Sequence, residues 1–106
     1  MDAEEKKQAA RRLLGLTETM LRAARQEDWE TVAAHEQERR ELAHTLFAEP
    51  LPAEAVDVVR RCLTELLEID PELRRRLSES RDSAAQAVRD AQTGRAALSA
   101  YQRYSR

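Results

Sequence analysis

The chain is short of almost everything that builds strands, tight turns and crosslinks. Its 106 residues include only two glycines, three prolines, one cysteine and four aromatic side chains, at Trp29, Phe47, Tyr101 and Tyr104. Scarce aromatics and turn formers argue against a sheet. The two glycines stand alone at Gly15 and Gly94, which excludes a glycine-rich phosphate cradle. A single cysteine, Cys62, cannot close an internal disulfide. With only two histidines, His35 and His44, it makes no metal constellation either. Charge of one sign is lacking too: 18 Lys and Arg against 20 Asp and Glu give a net charge of −2. That removes a general pull towards nucleic acid or an anionic membrane. No apolar run approaches the roughly 20 residues of a spanning helix, and no apolar region of the signal-peptide kind opens the chain. The reading is a cytoplasmic protein without membrane segments or cofactors, with Cys62 as a small core residue.

What remains is charge and aliphatics, 36% and 42% by the usual groupings, and their periodicity is helical. The expected fold is all-α: an antiparallel helical bundle of three helices plus a longer, more weakly packed fourth, in one domain over 1–106. The helices are expected at about 3–26, 29–47, 53–69 and 71–104. In the first, Ala10, Leu13, Leu14, Thr17, Met20, Leu21 and Ala24 repeat at i, i+3, i+4, i+7 opposite a face of arginines. Asp28 caps the second, whose apolar face is expected to hold Trp29, Val32, Ala33, Ala43 and Phe47 with an embedded Glu36–Arg40 pair. Trp29 is expected to be largely buried, anchoring the first helix to the second.

Pro50 and Pro52 mark a loop, since neither can continue a helix. The third helix is the most apolar, and its excess arc either touches a second neighbour in the bundle or is reserved for a partner helix. Val56, Val59, Leu63 and Leu67 are the candidate binding residues there, with Leu42 and Leu46 as the facing wall. Asp70-Pro71-Glu72 reads as a helix start: a cap, then proline at the first helical position, then an acid. The fourth helix offers mostly alanine after Leu77. An alanine methyl contributes about 0.8 kcal/mol on burial against about 1.5–3 for leucine, so this helix is expected to be a displaceable cover. Arg74-Arg75-Arg76 reads as a solvated flank with local pairs such as Glu72 to Arg76.

No spacing of carboxylates singles out an acid–base pair. His35-Glu36-Gln37-Glu38-Arg39 begins like a zinc-protease helix, but Arg39 stands where the second histidine would be needed. Ala43-His44-Thr45-Leu46-Phe47-Ala48 resembles the motif of histidine phosphotransfer domains, which would make His44 a phosphate carrier. That family follows the leucine with lysine and glycine, where this chain has Phe47 and Ala48.

The order of features as a whole resembles the flagellar export chaperones of the FliT type. The matching pieces are Glu27-Asp28-Trp29-Glu30, Glu36 with Arg39 or Arg40, Pro50 to Pro52, Leu66-Leu67-Glu68-Ile69-Asp70 and Ala97-Leu98-Ser99-Ala100-Tyr101. That family has glycine or glutamate where Glu27 stands. A basic, alanine-rich fourth helix and the lack of a tail beyond Arg106 are departures from its pattern. The resemblance implies a cytoplasmic, non-enzymatic type III secretion chaperone. Its partner would be the C-terminal part of the filament cap protein, kept unassembled until export. The export ATPase complex and a transcription regulator are further implied partners, and homodimerisation is compatible with the sequence. A generic helical adaptor or coiled-coil dimer, and phosphotransfer through His44, are the alternatives.

Overall fold

A computed structural model describes residues 1–104, which contain helices and no strand. Helix α1 spans Ala3–Arg25, α2 spans Trp29–Phe47, a 3₁₀ turn covers Ala53–Ala55, and α3 runs Val56–Tyr104. The chain divides into a compact unit over Met1–Arg76 and a second from Leu77 onward.

Helix α1 opens with a reciprocal cap. Asp2 Oδ1 accepts from the Glu5 amide at 2.8 Å and Glu5 Oε1 accepts from the Asp2 amide at 3.3 Å, so two otherwise orphaned donors are satisfied. Its buried face follows the expected spacing, with Ala10, Leu13, Thr17, Met20, Leu21 and Ala24 all enclosed. At the other end the amides of Glu27 and Asp28 donate to the carbonyls of Ala24 (3.0 Å) and Ala23 (2.9 Å). These paired bonds need a left-handed residue at the turn. Glu27, at φ 58°, is that residue. Asp28 then caps α2, accepting from the Thr31 amide at 3.2 Å and the Thr31 hydroxyl at 2.6 Å.

Lys6 fixes the direction of the α1–α2 hairpin. Its Nζ donates to the carbonyls of Leu46 (2.9 Å) and Thr45 (3.2 Å). The lysine, 2% exposed, thus supplies donors and positive charge to the last turn of α2. Further along, Arg12 reaches Glu38 at 2.8 Å. The 3₁₀ turn and the start of α3 close the unit: Ala55 of the turn and Val59 and Cys62 of α3 join Ala9, Ala10, Leu13 and Leu46 in one core cluster. Arg39 of α2 then meets Asp70 at 3.0 Å, and Arg25 of α1 grips Glu72 at 2.7 and 2.8 Å. These contacts make α2 antiparallel to both α1 and the first part of α3.

Three expectations are corrected. The third and fourth helices, expected as 53–69 and 71–104, are one helix from Val56, so the four-helix arrangement is not formed. Pro71 lies inside it, with its ring exposed, and leaves the Leu67 carbonyl without its usual amide donor. Asp70 caps nothing; it is 3% exposed and receives Arg39 and Arg74. Tertiary pairing and the burial of Leu73 outweigh the local start signal. Trp29 is half-buried rather than enclosed, and Ala33 is exposed. Val32, expected on this face, is buried together with Leu46, and Leu42 and Ala43 are half-buried.

In the second unit every residue from Arg81 to Ser99 is exposed. Ala84, Ala87 and Ala91, alanines of the segment expected to act as a cover, are among them.

Candidate interaction surface

The six residues expected to meet a partner separate by depth. Leu46 at 0% exposure and Val59 at 1% belong to the core cluster. They support a surface from beneath and would contact a partner only if the unit opened. Leu42 and Leu63 are half-buried against that cluster, and Val56 is half-buried at the start of α3. Leu67, one turn beyond Leu63, is 68% exposed. Phe47, one turn beyond the half-buried Ala43, is 53% exposed; it was expected on the apolar face of α2, not at its rim. Each of the two helices therefore carries a half-buried residue followed by a large exposed one.

Among the described residues the charges along this seam are paired within it, Arg60 excepted. Arg39 Nη2 bonds Asp70 at 3.0 Å, while its Nη1 is buried without a partner among the described residues. Arg40 and Glu36, expected as a pair embedded in the apolar face of α2, do pair at 3.3 Å, with Arg40 exposed. Arg76 pairs with Glu72 at 2.8 Å, as expected of the arginine flank. Glu72 accepts from both Arg25 and Arg76, and these bonds, Arg25 first, lower its pKa from 4.5 to about 2. The hydroxyl and amide of Thr31 likewise lower that of Asp28.

The sequence reading missed Lys6 and the Arg39–Asp70 pair. Lys6 had one available signal, a lysine in line with the apolar face of α1, at Ala10 minus four and Ala9 minus three. His44 is exposed in the last turn of α2. Among the described residues no three His, Cys, Asp or Glu side chains gather as metal ligands would. Nor is any described helix long and apolar enough to cross a membrane.

These features define an all-helical protein that offers an apolar stripe between two helices. Residues 7–103 match the family described as Flagellar protein FliT, and the chain belongs to that family. Neither the curated proteins nor the solved structures contain a match.

Proposed function

We propose that this protein is a cytoplasmic, non-enzymatic chaperone of flagellar type III secretion. It binds the C-terminal part of the filament cap protein and keeps it unassembled until export. Membership of the FliT family across residues 7–103 carries this reading. The apolar stripe supports it, because an amphipathic client segment needs anchors one to two turns apart on a preformed groove. Val56, Leu63 and Leu67 of α3 are the proposed contacts, with Leu46 and Val59 holding the stripe from below; Leu42, the sixth expected residue, lines the α1 side of α2 beside Ala9 and Arg12. The export ATPase complex and a transcription regulator are proposed as further partners. Co-purification with a C-terminal fragment of the cap protein tests the proposal. Capture by the wild type and loss in a folded Leu67→Asp variant are expected. A wild type that fails to retain the fragment would defeat it.

A further inference from the structure

We infer that the α2–α3 seam selects a partner helix whose apolar anchors are flanked by acidic residues. The inference rests on the proposed binding stripe and adds the chemistry of what lies in it.

The stripe has a definite length. From Val56 to Leu67 is eleven residues of one helix, or about 16 Å at 1.5 Å per residue. That matches about three turns of a partner helix. The antiparallel run of α2 places Phe47 near the Val56 end and Arg40 near the Leu67 end. Apolar contact is thus available at both ends and, through Leu63 and Ala43, in the middle.

The charge beside the stripe is positive. Helical spacing puts Arg60 and Arg74 on the same side of α3 as Leu63 and Leu67, and both are exposed. Arg40 stands on the α2 side. Arg39 lies between the helices with its second terminal nitrogen buried and unpartnered. Against these four arginines the seam holds two acids, Glu36 and Asp70, each already engaged. Arg60 joins no ion pair among the described residues. A carboxylate arriving beside the exposed Arg40, Arg60 and Arg74 meets net positive charge, so it gains more than it would on a neutral surface. Lysines in the same positions would meet like charge, and interface charge discriminates between partners in this way.

The test compares two synthetic helical peptides with identical leucine anchors, one flanked by glutamate and one by lysine, against the full chain. The glutamate peptide is expected to bind about tenfold more tightly at low ionic strength, with the gap narrowing as salt screens the flanks. Arg60→Glu should cancel or reverse the preference while leaving the far-ultraviolet circular dichroism unchanged. Arg60→Lys, which keeps the charge, should retain it and guards against a loss that is merely structural. Equal binding of the two peptides, or preference for lysine, overturns the inference. So does a preference unmoved by Arg60→Glu. Light scattering addresses a second copy as occupant: a dimer that Leu67→Asp converts to monomer would assign the stripe to self-association and end the proposal. Failure here is separable from failure of the chaperone reading. A cap fragment retained regardless of salt and of Arg60→Glu refutes the charge rule alone. A glutamate preference without any cap-fragment binding refutes the chaperone reading alone.

Discussion

At the scale of single residues, the hairpin depends on groups whose partners are backbone. Lys6 gives two bonds to the end of α2 across a separation of 40 residues. Its replacement by methionine keeps the bulk but leaves the Thr45 and Leu46 carbonyls without donors. The Lys6→Met variant should lose about 1.5–3 kcal/mol of stability, the range for hydrogen bonds to charged groups. An unchanged urea midpoint would deny the lysine its capping role. Glu27 works in the opposite direction, since a side chain at φ 58° is held where glycine rests at no steric cost. Glu27→Gly should stabilise the chain by up to about 1 kcal/mol, read from the same denaturation curve. Glu72 ties α1 to α3 through Arg25 and is the clearest source of pH dependence. Its folded pKa, lowered to about 2 from 4.5, means that the ionised form is favoured by folding. The contribution is therefore present above about pH 4.5 and lost as pH falls through about 2. Glu72→Gln should flatten the decline of thermal midpoint between pH 5 and 2; a decline as steep as the wild type's would exclude this pair as its source.

Among elements, α1 and the corner after it were the most legible in the sequence. Their signals are local: a capping acid at each start, an unbroken apolar spacing and a short connection. Helix α3 was misread because its local signal is also strong but loses. Asp70-Pro71-Glu72 has the form of a helix start, yet Val59, Cys62, Leu66, Ile69, Leu73 and Leu77 keep one helical phase straight across the proline. That phase was the available evidence for continuity. Arg39 could not have been read as the reason, since its partner Asp70 is 31 residues away. The candidate stripe was half legible for a related reason. Periodicity places Leu46 and Val59 on an apolar arc, but which edge of the arc is covered depends on how deeply the neighbouring helix sits. Proline within a helix costs about 3 kcal/mol relative to alanine. Exposure of Pro71 and of Leu67, whose carbonyl solvent can then satisfy, reduces this, so Pro71→Ala should stabilise α3 by about 1–3 kcal/mol and raise its helicity. A destabilised Pro71→Ala variant would mean that α3 ends at Asp70 in solution.

For the whole molecule, the activity we propose, holding another protein's helix, draws on membership of the FliT family and on the exposed apolar side chains of α2 and α3. The alternatives draw less from the same observations. His44 is exposed, but the family that matches residues 7–103 is a flagellar one, and the motif beside it lacks the lysine and glycine of phosphotransfer domains. The decisive measurement is titration of the full chain with a C-terminal fragment of the filament cap protein, in parallel for wild type and Leu67→Asp. The account predicts saturable binding by the wild type. It also predicts at least about a tenfold loss in the variant, about 1.4 kcal/mol or more, with unchanged circular dichroism and thermal midpoint. Absence of binding by the wild type, or equal affinity in the two proteins, would contradict it.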